Sequence, residues 1–305
     1  MFRLAFLLAL CCSSLSAATP EIETLNKAES AFSVGETRIV VEIRDRVLRE
    51  KKAMLLDWVV YSAHTVEDYY GRFPVDNLRI KVQVAGGHAV RFGQAFGGHA
   101  PMVRVVVGEN VTEADLRRDW IMVHEMVHLA MADVPHANRW WLEGLATYVE
   151  SIARARRNHL SEAFVWNGFY HRMPDGLPQS GDRGLDYTPT WGRTYWGGAM
   201  FCLLADIEIR DRTNNSKSLQ DALRGVLDDG YSMHTSATPM QIFESADRAT
   251  GVDVLVPLYQ RMRADPSPVD LDQLWRDLGV IVDGDEITYD DTARLAHVRR
   301  ALLKP

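Results

Sequence analysis

The chain has 305 residues, with 47% hydrophobic and 25% charged side chains, enough apolar material for one large or two modest globular units. A formal net charge of −7 argues against a broad nucleic-acid surface, which needs clustered Lys and Arg. No stretch after residue 20 is apolar for long enough to cross a bilayer.

The first residues form a separate case. Arg3 precedes the apolar run Leu4–Leu10, and small residues follow from Ser13 to Ala18, the pattern of an export signal cleaved near Ala17 or Ala18. Residues 1–18 are therefore read as a signal peptide, and the mature chain as periplasmic or secreted. Of the three cysteines, Cys11 and Cys12 fall in that segment. Cys202 alone would remain, so no internal disulfide is expected.

Residues 19–37 are polar and read as a loose lead-in. Arg38–Arg44 alternates as a strand, and the apolar spacing from Leu48 to Tyr70 is helical, stopped by Gly71 and Pro74. Leu78–Val84 and Met102–Val107 read as strands, separated by an irregular glycine-rich segment from Gly86 to His99. A capping box at Thr112–Asp115 opens a central helix that is expected to run as far as Val134-Pro135. A second helix covers Asn138–Arg157, and Asn158–Trp191 reads as a long loop with short helical pieces. Helices follow over Thr194–Arg212 and from Ser218, and a strand-like pair lies near Val280–Tyr289.

This order predicts an α+β architecture: a small N-terminal mixed sheet, then a mainly helical part. Residues 19–135 would carry the first helix of a site and residues 136–305 its completion, with a cleft between them.

The chemistry-bearing motif is His124-Glu125-Met126-Val127-His128, an H-E-x-x-H inside the central helix. Side chains four apart on a helix project about 40° apart, so both imidazoles reach one place and can share a metal. Glu125 stands beside them, placed to take a proton from an attacking water. A catalytic zinc needs a third protein ligand. Glu143, in Trp141-Leu142-Glu143-Gly144, returns on the second helix after the turn at Asp133–Ala137. Glu150, seven residues on, falls on a similar face and reads as an outer group.

HEMVH followed by WWLEGLATYVE resembles the gluzincin zinc metallopeptidases, in particular the alanyl-type and glycyl-type aminopeptidases. The resemblance implies a zincin-like (thermolysin-like) catalytic domain, with one zinc on His124, His128 and Glu143 and Glu125 as general base. Tyr195, in Tyr195-Trp196-Gly197-Gly198, resembles the family's oxyanion-stabilising tyrosine. Tyr148 and Tyr187 are the alternatives. Only fourteen residues separate His128 from Glu143, and Gly97-Gly98-His99 lacks the amine-binding glutamate of those enzymes.

Gly97, Gly98 and His99 are read either as an edge strand lining a substrate cleft or as an ordinary turn. His136 and His171 read as surface histidines. Asp206 either orients a ligand or balances Arg210. Arg154, Arg156 and Arg157 read as a solvated charge run, and Trp140 and Trp141 as core. The expected partner is a peptide or protein substrate. The same residues would equally serve a zinc hydrolase of non-peptide substrates, or a zinc-containing binding module without turnover.

Overall fold

The computed structural model describes residues 20–284 and 286–304. The expected signal segment, residues 1–18 with Cys11 and Cys12, lies outside the described residues. Strands β1 (Glu23–Thr24), β2 (Glu29–Val34) and β3 (Thr37–Ile43) form an antiparallel meander. The segment expected to be a loose lead-in thus carries two strands. Its short polar runs hide the pattern, although Ala31, Phe32 and Val34 are buried.

Helices α1 (Arg46–Glu50) and α2 (Lys52–Tyr70) cross from β3 to its parallel neighbour β4 (Asn77–Ala85). Helix α2 packs Leu55, Val59, Ala63 and Val66 into the core, and Gly71, at φ 77°, ends it in the left-handed conformation that glycine tolerates best. Next come β5 (Val90–Phe96) and β6 (Met102–Gly108), and β6 pairs parallel to β4. The sheet order is β1-β2-β3-β4-β6-β5, so β5 is the antiparallel edge. On β6, Val103, Val105 and Val107 point into the core while Met102, Arg104 and Val106 alternate to the other face.

The central helix is not continuous. Helix α3 (Glu113–Arg118) starts with the expected Thr112–Asp115 capping box, and α4 (Ile121–His128) begins after a break. Asp119 leaves the helical region at ψ 134°, and its carboxylate accepts from the N–H groups of Ile121 and Met122, both at 3.0 Å. The apolar spacing runs through this break and conceals it; Asp119, a good N-cap residue type, was the signal. Helix α4 ends at His128, short of the expected Pro135.

The helical part comprises α5 (Arg139–Arg156), α6 (Glu162–Arg172), α7 (Gly198–Arg212), α8 (Leu219–Asp228) and α9 (Pro239–Thr250). It continues through α10 (Leu255–Met262) and α11 (Leu271–Leu278) to the hairpin β7 (Val280–Asp283) and β8 (Glu286–Tyr289), then α12 (Ala296–Leu302). A π-helical turn over Arg193–Gly197 leads into α7. Among the described residues no helix is long and apolar enough to cross a membrane.

The arginine run is not a solvated face. Arg154 is buried, pairs with Glu150 at 3.1 Å, and donates to the last carbonyls of α3, on Arg117 and Arg118. It thereby ties α5 to the break before α4. Trp140, Trp141 and Cys202 are buried, the cysteine without a disulfide partner among the described residues.

Candidate metal centre

Helices α4 and α5 bring His124, His128 and Glu143 together. Their ligand atoms all lie within 4.8 Å of one another. Glu143 Oε2 stands 3.3 Å from His124 Nε2 and 3.7 Å from His128 Nε2. Zinc bonds of about 2.0 Å in a tetrahedron put donor atoms about 3.3 Å apart, so the donor types suit that ion and the Glu143–imidazole separations lie near its spacing. Two imidazoles and one carboxylate also leave a fourth position open, as a catalytic site requires.

Electrostatics favour the ligand protonation states. Burial works to raise the Glu143 carboxyl, but hydrogen bonds from His124 and His128 outweigh it and hold the group well below the usual carboxylate range. Burial pushes His124 down to about 4, against the pull of Glu143. An ionised carboxylate and a neutral imidazole are the forms that bind metal. Among the described residues, His124 Nδ1 is buried without a hydrogen-bond partner. Its ring is instead held by packing, edge-on to Trp120 at 5.2 Å and stacked with Tyr195 at 6.4 Å.

Glu125 points from α4 towards the sheet edge. Its Oε2 accepts from the Ala95 N–H of β5 at 2.7 Å. Burial raises the Glu125 carboxyl, with His128 and the Ala95 amide opposing. The close approach of α4 to β5 depends on Gly93: a Cβ there would overlap Ile121 Cγ2 and lie 2.6 Å from Glu125 Cγ.

Tyr195 lies on the π-helical turn, an irregularity common at functional sites. Arg193 anchors the turn through Asp182, at 2.9 Å, and through the Gly176 carbonyl, at 2.6 Å. Burial and the neighbouring Glu143 carboxylate raise the Tyr195 phenol to about 12. Tyr148 is unsuited to the same role, since its hydroxyl is buried on Asp206 at 2.8 Å, while Tyr187 is exposed and does not line the cleft. Asp206 also accepts from Arg210 and from the Leu219 N–H, away from the metal ligands. Glu150 is buried on Arg154 rather than at the centre.

The centre opens into a cleft of about 780 Å³ lined by β5, α4, α5, Tyr195 and the segment Met233–Ser236. Gly97 and Gly98 line it, but His99 does not. The edge strand is β5 itself, Val90–Phe96, within the stretch expected to be irregular; Gly98, at φ 94°, lies in the bend that follows it. His136 starts a short 3-10 turn and His171 lies in the last turn of α6, both exposed.

Three contributors escaped the sequence reading. Arg139, one helical turn before Glu143, donates to Glu143 Oε1 at 3.3 Å and holds the oxygen that faces away from the imidazoles. The Ala95 amide is a backbone group, invisible to residue type. Asp186 accepts from Asn138, Trp140 and Tyr259 at 2.8–2.9 Å and fixes the start of α5.

No family model and no curated protein matches the sequence. Solved structures do resemble the fold. An aminopeptidase N family protein from Idiomarina loihiensis aligns at a TM-score of 0.63 and 11% identity, over 87% of this chain and 50% of that one. The M1 zinc metallopeptidase from Deinococcus radiodurans aligns at only 0.45 and 14% identity, over 82% of this chain and 53% of that one. The fold resembles that of part of the aminopeptidase N family protein. The chain spans about half the length of these structures.

Proposed function

We propose that the chain is a zinc-dependent peptidase, with one zinc on His124, His128 and Glu143, Glu125 as general base and Tyr195 as oxyanion donor. The observation that carries this reading is the convergence of the three donor atoms within 4.8 Å, with Glu125 beside them and, among the described residues, committed to no side-chain partner.

Zinc, when bound, supplies Lewis-acid polarisation of the scissile carbonyl and a nucleophilic water near neutral pH. Glu125 takes a proton from the attacking water and passes it to the leaving amine. The Ala95 amide fixes one Glu125 oxygen, leaving Oε1 to carry the proton. A carboxyl raised by burial suits a group that must both accept and return a proton near neutral pH. Tyr195 donates its hydroxyl to the oxygen that becomes negative as the carbonyl is attacked. A phenol held at about 12 stays protonated, and so remains a donor, throughout the physiological range. Arg139 keeps the Glu143 carboxylate turned towards the imidazoles.

The test is a mixed peptide library digested by the zinc-loaded full chain and read by mass spectrometry. Reproducible cleavage that chelator abolishes is expected, and a Glu125→Gln protein should hold zinc without turnover. A fully zinc-loaded protein that leaves every peptide intact would overturn the proposal in favour of a binding role.

A further inference from the structure

The cleft has a direction that the packing of β5 on α4 makes readable. Gly93 faces Ile121 and Glu125, the Ala95 N–H reaches Glu125, and Gly97 lies against Met233, whose own N–H bonds to the Leu129 carbonyl just past α4. Strand and helix therefore run the same way past the centre. The start of β5 sits beside the start of α4, where Trp120 stands. Its end sits beside Leu129–Asp133 and the segment Met233–Ser236, which pairs with Asp133 through the Thr235 carbonyl at 2.8 Å.

The outward-facing Ala95 amide shows that the free edge of β5 looks onto the centre. A peptide adding to that edge pairs most favourably antiparallel. Its N-terminal side then lies towards Gly97 and Met233, and the residues after the cleaved bond pass Trp120.

Trp120 is a large apolar side chain left 47% exposed inside a concave site. It is the residue at the break between α3 and α4, presented into the cleft by the Asp119 cap and the Arg154 clamp on α3. Ile121 and Leu142, both half-buried, line the same cleft. We propose that Trp120 is a specificity-determining residue, receiving a large apolar or aromatic side chain on the C-terminal side of the cleaved bond. This rests on the peptidase reading above. An indole face offers such a side chain much contact area at small entropic cost, and an apolar pocket contact of this kind discriminates by about 10- to 100-fold.

The experiment uses peptides that differ only in the residue following the cleaved bond, with kcat/KM and zinc content measured for the zinc-loaded full chain. Phe, Trp or Leu there should be preferred over Gly or Asp by about 10- to 100-fold. Trp120→Ala should remove most of that preference, read as the ratio of the Phe to the Gly peptide with each rate normalised to bound zinc, and Trp120→Phe should keep it. The inference is overturned by a flat profile in the wild type, by selectivity for the residue before the bond instead, or by selectivity that survives in Trp120→Ala. It is also overturned if Trp120→Ala loses zinc and slows all peptides alike, which would make the indole a shield for His124. A zinc-loaded wild type that cleaves nothing overturns the peptidase reading itself.

Discussion

Gly144 on α5 and Gly198 at the start of α7 meet backbone against backbone: a Cβ on Gly198 would lie 2.8 Å from the Gly144 Cα and inside the contact distance of the Trp140 carbonyl oxygen. Glu143 is the neighbour of the first glycine, and Tyr195 lies three residues before the second. The contact thus sets the distance between Glu143, the proposed third zinc ligand, and Tyr195, the proposed oxyanion donor.

Gly144→Ala should be destabilising by about 2 kcal/mol or more, because the conflict is with backbone, which cannot rotate away as a side chain would. Urea unfolding measures it. A change below about 0.5 kcal/mol, the range of a neutral surface substitution, would mean the two helices are not held at this separation.

Gly93 permits the equivalent approach on the other wall. In Gly93→Ala the new methyl competes with Ile121 and the Glu125 stem, displacing the proposed base while leaving His124, His128 and Glu143 in place. Zinc content should be unchanged and kcat should drop by about 100-fold, the scale of an ångström-sized misplacement. Activity within about 2-fold of wild type would show that Glu125 does not depend on this strand.

Arg139 is exposed, so its ion pair with Glu143 adds little to folding stability. Its expected effect is on the proposed metal: loss of a group that orients a ligand costs roughly 10- to 100-fold in affinity. Arg139→Ala should therefore lower zinc affinity by about 10-fold with the unfolding midpoint of the metal-free protein nearly unchanged. Competition with a fluorescent chelator reads the first and a thermal melt the second.

Tyr195 gives a pH test. Its folded-state phenol is raised to about 12 from an ordinary 10 by burial first and Glu143 second. The unfolded chain then loses its proton first as pH rises. The contribution of this tyrosine to stability is present below pH 10 and is lost as pH climbs towards 12. In the metal-free protein, the difference in tyrosinate absorbance between wild type and Tyr195→Phe should stay flat through pH 10 and rise near 12. A midpoint at 10 would mean an unperturbed, solvent-facing phenol.

What was legible in the sequence was local chemistry. His124, His128 and Glu143 lie within 20 residues on two helices, and helical periodicity alone predicts that the imidazoles face one way. The parallel part of the sheet, β3, β4 and β6, was likewise visible as β-branched alternation. Strand β5 was not, because Gly93 and its exposed alternate residues resemble a loop until β6 is seen pairing with it. The break at Asp119 was masked by apolar spacing that continues across it. Arg154 reads as surface charge until Glu150 and the α3 carbonyls enclose it. For β5 and for the α3 end of the Arg154 contacts the missing information was a long-range partner, while the break carried a local signal in the Asp119 cap.

The most direct measurement is zinc stoichiometry on three proteins purified alike: wild type, Glu143→Ala and Glu125→Gln. One zinc per chain in the wild type and in Glu125→Gln, with its loss in Glu143→Ala, is the outcome expected if three side chains hold the metal and the fourth is free for proton transfer. Full zinc in Glu143→Ala, or none in the wild type, would contradict it.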